Sequence, residues 1–211
     1  MKSILGRKIG MTQIFDENGH AVPVTVVSAG PCTVVQVKTK EQDGYAAIQV
    51  GYEEQKPRRI TKPRLGQFTK RNLKPFRILR ELELADKDSF AVGQTFGPEV
   101  LADVQWVDVV GVSKGKGYQG VVKRHHFTGG RNSHGSMFHR APGSIGASSD
   151  PSRVLKGLGM PGHMGHERVT AMKLKLVKVD PEQKLLLIRG AIPGANRDLV
   201  LVRESRRGGK R

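Results

Sequence analysis

The residue types that could do chemistry are concentrated between positions 111 and 168. These 58 residues hold thirteen glycines, nine lysines or arginines and six of the seven histidines, but only two acids. Gly115, Gly117 and Gly120 form the GxGxxG pattern of a dinucleotide-binding loop, which also needs a following helix and an acid about 20 residues downstream. VVKRHHFTGG follows the last glycine instead, and the next acid is Asp150. We therefore expect no cofactor, and a dinucleotide-binding enzyme remains a rival hypothesis.

Histidines in the same segment raise the question of a metal site. His134 and His139, or His163 and His166, could act as ligands, but a closed zinc site needs four ligands and no cysteine lies nearby. The single cysteine, Cys32, excludes an intramolecular disulfide and a cysteine-based zinc site. Its β-like surroundings fit a small apolar core residue better than a nucleophile. We expect neither a metal nor covalent catalysis.

Glycines and cations together have a more coherent meaning. Glycine lets a backbone come close to a partner, lysine and arginine neutralise phosphates, and histidine can stack on bases or donate to phosphate oxygens. The segment shows neither helical nor strand periodicity, and ordering it would cost on the order of 50 kcal/mol of backbone entropy with little core to offset that cost. Either the segment is a disordered basic loop, or a partner outside the chain orders it.

The net charge of +17 lies in blocks, which indicates a polyanionic partner. Residues 56–80 carry a net charge of +10 and residues 111–168 carry +7, whereas residues 81–110 carry −6. No apolar run of 18 residues is present, so nucleic acid fits better than a membrane. The start, MKSILGRKIGMTQIF, is too broken by Gly, Arg and Lys for a signal peptide, so we expect a cytoplasmic protein. Composition alone does not separate an RNA-binding protein from a DNA-compacting one.

Short β-strands must position these residues. Strand-like segments rich in β-branched residues, or alternating apolar with basic residues, occupy 22–28, 33–38, 46–52, 76–84, 104–111, 169–180, 183–190 and 198–204. Asp180 and Pro181 suit a hairpin turn between two of them. Three prolines in residues 56–75 argue against a continuous helix there. The sequence predicts a mainly β fold, an antiparallel sheet or barrel, with loops longer than the core needs.

Four motifs in chain order carry a family resemblance. They are LGRKIGMTQIF at 5–15, LADVQWVDVVGVSKGKGYQGVVKR at 101–124, HRAPGSIGASSDPSRVLKGLGMPGHMGHERVT at 139–170 and RGAIPGANRDLV at 189–200. The chain resembles the universal large-subunit ribosomal protein L-three family, in its bacterial form, over nearly its whole length. The defining positions of the second motif are Asp108, Gly111, Ser113, Gly115, Lys116, Gly117, Gly120 and Arg124. The chain departs from many bacterial members at Ala147, where the family has an N-methylated glutamine, so we do not expect that modification.

The resemblance implies a structural constituent of the large ribosomal subunit, not an enzyme. It implies a β-barrel body formed by residues 1–110 and 169–211, with 56–80 as a basic excursion and 204–211 as a basic tail. Residues 111–168 would form a long irregular Gly- and basic-rich extension that penetrates large-subunit (23S-type) rRNA toward the peptidyl transferase centre. The resemblance also implies an early role in subunit assembly, cytoplasmic ribosomes as the location, and contacts with neighbouring ribosomal proteins fourteen and nineteen. No membrane and no small-molecule substrate is expected.

The candidate RNA-binding residues are cations and histidines of the basic segments. They are Arg7, Lys8, Arg58, Arg59, Lys62, Lys114, Lys116, Lys123, Arg124, Arg131, His134, His139, Arg140, Arg153, Lys156, His163 and Arg168.

Overall fold

Twelve strands and three α-helices form among residues 2–83 and 90–206, which are the residues that this computed structural model describes. The strands are β1 Ser3–Phe15, β2 Ala21–Ala29, β3 Cys32–Lys38, β4 Ala47–Glu54, β5 Phe76–Glu83, β6 Thr95–Phe96, β7 Trp106–Val112, β8 Tyr118–Gln119, β9 Gly162–His163, β10 Arg168–Asp180, β11 Leu185–Arg189 and β12 Leu199–Glu204. The α-helices are α1 Lys40–Asp43, α2 Lys62–Thr69 and α3 Val121–His125, and 3-10 helices lie at Pro57–Arg59 and Pro98–Leu101. The mainly β fold predicted from the sequence is confirmed.

Six strands close into a barrel in the order β1-β12-β7-β10-β11-β2, and every neighbouring pair is antiparallel. Val107 and Val109 of β7 and Val200 and Val202 of β12 are almost completely buried. Their spacing of two residues puts them on the same face of each strand, so the barrel interior is filled by alternating apolar side chains. The predicted hairpin is present as β10 paired with β11, and Asp180 Oδ1 accepts a hydrogen bond from Gln183 N in its turn.

Strand β1 is a barrel strand that the sequence pattern did not predict. Its first half is buried through Ile4 and Leu5, and it pairs with both β12 and β2. Gly6 lies so close to β2 that a Cβ atom built on it would be 2.5 Å from the Ser28 carbonyl oxygen. The glycine that breaks the apolar pattern in the sequence is therefore needed for the close approach of the two strands.

A second antiparallel sheet has the strand order β5-β4-β3-β6. Helix α2 packs against it through Phe68, which is fully buried with Val35 and Phe76 in a small apolar cluster. The prolines of this basic segment do not prevent the helix, because Pro63 lies in its first turn, where proline is tolerated. Residues 56–75 thus fold as two short helices rather than one continuous helix.

Two compact units make up the chain. Residues 1–112 and 168–211 group as one unit, here called the barrel unit, and Ser113–Glu167 as the other, here called the basic unit. Val112 of β7 and Arg168 of β10 are paired in the barrel, so the basic unit is inserted between two neighbouring strand ends. The predicted strand residue Leu84 and residues 207–211 of the basic tail lie outside the described residues. Within the described ranges no helix is long and apolar enough to cross a membrane.

Candidate nucleic-acid interface

The basic unit begins and ends in a two-stranded ribbon. Ser113 N donates to the Glu167 carbonyl oxygen (2.8 Å) and Lys116 N donates to that of Met164 (2.9 Å). Further along, β8 pairs antiparallel with β9, with Tyr118 opposite His163. The sequence predicted no periodic structure in this segment, and the difference has a physical cause: backbone hydrogen bonds between distant residues need no apolar period.

Helix α3 follows the ribbon and is braced against the returning chain. Val121 buries its side chain, and Arg124 Nη1 donates to the Met160 carbonyl oxygen (2.7 Å). His125 Nε2 lies 3.0 Å from the same oxygen. Arg124 also lies beside Gly162, where a Cβ atom would be 2.7 Å from its Nη1. One predicted RNA-binding cation therefore also has a structural task inside the basic unit.

Two further glycines allow close backbone contacts in this unit. Gly165 has a φ of +74°, and a Cβ atom there would be 2.2 Å from the Lys114 carbonyl oxygen. Gly130 lies against Phe138, where a Cβ atom would be 1.8 Å from the carbonyl oxygen. No L side chain fits at either position, so these glycines are needed to bring the outgoing and returning chains together.

Most of the remaining basic unit has no interior. Every residue from 137 to 158 is exposed, and the Met137 side chain is 99% exposed. This part includes His139, Arg140, Arg153 and Lys156, four of the predicted RNA-binding residues. Ala147 is also exposed. The absence of apolar periodicity in the sequence corresponds to a lack of core in this part of the basic unit.

Predicted residues come together at the ribbon. Lys114, Lys116, Arg124 and His163 line one cavity of about 440 Å³, with His125 and Glu167 among the other lining residues. Lys123 and Arg131 are exposed elsewhere in the unit, as is His134, which has a positive φ of 60°. The cavity concentrates positive charge beside histidine rings, which suits a phosphate or a nucleotide.

The two units use their charges differently. In the barrel unit, several cations are paired with acids, for example Lys38 with Glu81 (2.7 Å) and Lys74 with Glu54 (3.1 Å), whereas others such as Arg58 and Lys62 take part in none of the described ion pairs. The hydrogen bond with Lys38 lowers the pKa of Glu81, and the same bond raises the pKa of Lys38. Among the described residues, no ion pair includes a lysine or arginine of the basic unit. The cations of the basic unit are thus not neutralised by the described part of the chain.

Arg7 and Lys8 differ from the other predicted RNA-binding residues. The Arg7 guanidinium forms a bidentate ion pair with Glu53 and donates to the Arg197 carbonyl oxygen. The bond to Glu53 raises the pKa of Arg7, and the same bond lowers the pKa of Glu53. Lys8 is only 8% exposed, and its Nζ donates to the carbonyl oxygens of Ile192 (3.0 Å) and Gly194 (3.1 Å). Both cations hold the barrel unit together, and Lys8 has little surface left for a partner.

The other predicted residues of the barrel unit are accessible. Arg58 and Arg59 lie in the 3-10 helix Pro57–Arg59, Lys62 is the first residue of α2, and Arg168 begins β10. All four residues are exposed.

The GxGxxG glycines do not have the geometry of a dinucleotide-binding loop. Gly115 and Gly117 lie in the antiparallel ribbon, and Gly120 precedes α3, which is five residues long. The fingerprint instead needs a parallel βαβ unit with a helix long enough to receive a pyrophosphate at its N-terminus. Within residues 2–83 and 90–206, no group of three or more His, Cys, Asp or Glu side chains is placed to hold a metal ion.

Tyr118 is a candidate that the sequence analysis missed. Its side chain is 68% exposed, and its ring meets that of His163 edge to face, with the centroids 6.2 Å apart. Exposed aromatic rings beside cations offer stacking surfaces for unpaired bases. The available signal was an aromatic residue inside the GxGxxG stretch, with two lysines before it and a lysine and an arginine after it.

Fold and charge together define a basic β-barrel protein with an inserted unit of unpaired cations, a class that suits a polyanionic partner. A model of the family described as Ribosomal protein L3 matches residues 76–184. The protein named large ribosomal subunit protein uL3 is 52% identical to the chain in Heliobacterium modesticaldum and in Geobacter sulfurreducens, over 204 residues and 97% of each chain. That of Corynebacterium jeikeium is 51% identical over 210 residues, 99% of this chain and 96% of the relative. The chain belongs to the ribosomal protein L3 family, which is structural and not enzymatic.

Proposed function

We propose that this protein is a structural constituent of the large ribosomal subunit that binds large-subunit rRNA directly through the basic unit. The observation that carries the proposal is the set of unpaired cations in that unit, combined with a stretch, 137–158, that is exposed throughout. Phosphates would neutralise the cations, and bases would cover apolar side chains such as Met137 and Phe138. Its place is the ribosome in the cytoplasm.

Binding to RNA would supply the contacts that the chain itself lacks. The ribbon and α3 already hold the two ends of the basic unit in place through backbone hydrogen bonds and the Arg124 contact with Met160. The exposed stretch beyond them has little apolar surface to bury within the protein. Its ordering entropy would therefore be offset mainly by contacts with RNA.

The finer parts of the function follow from the family resemblance. The basic unit would reach through rRNA toward the peptidyl transferase centre, and the protein would act early in subunit assembly. Its protein neighbours would include ribosomal proteins fourteen and nineteen. The reaction at that centre would belong to the RNA, and this protein would shape the surroundings.

A salt titration tests direct rRNA binding. If about 10 phosphates are contacted, log affinity should fall against log salt with a slope of roughly −7 to −9 in filter binding with rRNA fragments. Replacing Arg131, Arg140 and Arg153 together by Gln should weaken the slope by about 2 to 3 and leave the melting temperature nearly unchanged. A slope near zero for the native protein, or an unchanged slope for the triple variant, would contradict the proposal.

A competition experiment separates the remaining alternatives. Folded rRNA fragments should displace the protein from duplex DNA, whereas a DNA-compacting protein would prefer the duplex. Titration with NADH should give no fluorescence change, and saturable NADH binding would favour the dinucleotide-binding alternative.

A further inference from the structure

Gly66 lies inside helix α2, although nothing in the described part of the protein requires a glycine there. Glycine inside a helix is about 1 kcal/mol less favourable than alanine. Apart from Gly66 itself, its chain neighbours and the backbone of its own helix, no heavy atom of the described residues lies within 4 Å of the position that a Cβ atom would occupy on Gly66, and its φ is not positive. Neither close packing nor an unusual backbone conformation therefore requires a glycine at this position.

Gly66 lies on the outer face of α2, where a molecule outside the chain could contact it. Phe68, which anchors α2 to the sheet, lies on the opposite side of the helix at 100° per residue. Lys62, Gly66 and Lys70 follow one another at intervals of four residues, so they form one row on the outer face. All three are exposed, and Lys70 N donates to the Gly66 carbonyl oxygen (3.0 Å), which continues the helical row.

This row lies in the most basic block of the chain, residues 56–80, which has ten cations and no acid. Lys74 and Arg77 of this block are paired with acids of β4. Lys62, Lys70, Arg58 and Arg59, in contrast, take part in no ion pair among the described residues. Lys62 and Lys70, one turn before and one turn after Gly66, are therefore among the cations of this block that no described acid neutralises.

We propose that the outer face of α2 is a second RNA-binding surface, at which the sugar–phosphate backbone lies against Gly66 between Lys62 and Lys70. The two lysines are about 12 Å apart along the helix axis, eight residues at 1.5 Å each, and would each meet a phosphate. The missing side chain at Gly66 leaves a notch that lets the RNA backbone approach the helix closely. The inference rests on the proposed rRNA binding and places a contact outside the basic unit.

Gly66→Ala in the full-length protein gives a test in which stability and binding move in opposite directions. The melting temperature should rise by about 2 to 4 °C, because alanine favours the helix. Affinity for rRNA fragments should fall about fivefold, because the methyl group fills the notch. An unchanged affinity, or a lower melting temperature that indicates a structural role for the glycine, would overturn the proposal.

Two matched controls test whether the loss of RNA affinity is specific to the outer face of α2. Gly10→Ala adds a methyl group at another glycine with no heavy atom within 4 Å of its Cβ position, and should leave affinity unchanged. Lys62→Gln with Lys70→Gln should weaken the salt slope by about 1.5, and more than Lys175→Gln with Lys178→Gln on the barrel, which remove the same charge. A contact at α2 would be overturned if Gly10→Ala lowered the affinity as much as Gly66→Ala. It would also be overturned if the Lys175 and Lys178 variant changed the salt slope as much as the Lys62 and Lys70 variant. If the α2 variants bind normally while the Arg131, Arg140 and Arg153 variant does not, the proposed function stands and this inference fails.

Discussion

Replacement of Lys8 by methionine tests whether this cation has a structural role or binds RNA, as the sequence predicted. Lys8 lies in the LGRKIG motif and contacts the loop of the RGAIPGANRDLV motif, where its ammonium group serves two buried carbonyl oxygens, those of Ile192 and Gly194. Its backbone also pairs with this loop, because Lys8 N donates to the Asp198 carbonyl oxygen (3.1 Å) and Arg197 N donates to that of Lys8 (2.6 Å). Methionine keeps an unbranched apolar stem, one heavy atom shorter than that of lysine, and removes the charged donor.

The expected loss can be worked from these contacts. A buried carbonyl that loses its donor costs about 1–3 kcal/mol, and two are affected here. Part of that cost is offset because the variant no longer buries an ammonium group. We expect the free energy of unfolding to fall by about 2–3 kcal/mol, which lowers the melting temperature by about 5–10 °C in a unit of this size.

Thermal unfolding followed by circular dichroism measures the loss, with Lys62→Met as the control. Lys62 is exposed, so its replacement should change the free energy of unfolding by less than about 0.5 kcal/mol. Filter binding with rRNA fragments should show a smaller change of salt slope for Lys8→Met than for Lys62→Met. An unchanged melting temperature with a weaker salt slope for Lys8→Met would refute the structural role and support the prediction that Lys8 binds RNA.

Three further predictions concern pH, a buried carboxylate and a glycine. Burial raises the pKa of Cys32 to about 11 from 9.0, so the stabilising contribution of the neutral thiol is complete below pH 9 and falls by about 2–3 kcal/mol up to pH 11. The melting temperature should therefore fall less steeply with pH between 9 and 11 in Cys32→Ala than in the native protein. Asp108 accepts a hydrogen bond from Lys173 N (3.0 Å) and lies 3.7 Å from Arg203 Nη2, so Asp108→Ala should cost about 2–3 kcal/mol in urea unfolding, whereas an effect below 0.5 kcal/mol would assign the carboxylate no structural role. Gly165→Ala should open the ribbon and speed hydrogen exchange at Lys116 N and Met164 N, and unchanged protection would show that the chain relaxes around the methyl group.

The sequence predicted most of the barrel because its strands alternate. Segments such as 22–28 and 198–204 have one buried apolar face, and β2 and β12 occupy them. Strand β1 was not predicted because its pairing depends on Gly6. This glycine allows the close approach to Ser28 of the neighbouring strand, which the sequence alone does not show. The ribbon of the basic unit also escaped, since its hydrogen bonds join residues about 50 positions apart.

Composition was sufficient to predict which segment holds the candidate site, but only some of its individual residues could be predicted. Charge and glycine content marked residues 111–168, whose lysines and arginines take part in none of the described ion pairs. The same reasoning could not tell that Arg7 forms an ion pair with Glu53 or that Lys8 is buried. Residue type gives the charge of a side chain, whereas its partners depend on which distant segments the fold brings beside it.

Because Val112 pairs with Arg168, the stability of the barrel depends only weakly on the length of the chain between these two residues. Both residues belong to adjacent strands, so a short turn could join them as readily as the 55 residues that do. Loop-closure entropy grows only with the logarithm of length, and exchanging a five-residue turn for this insertion costs the barrel about 2 kcal/mol. A scaffold of this kind can gain, lose or lengthen its inserted basic unit while its own strand register stays the same.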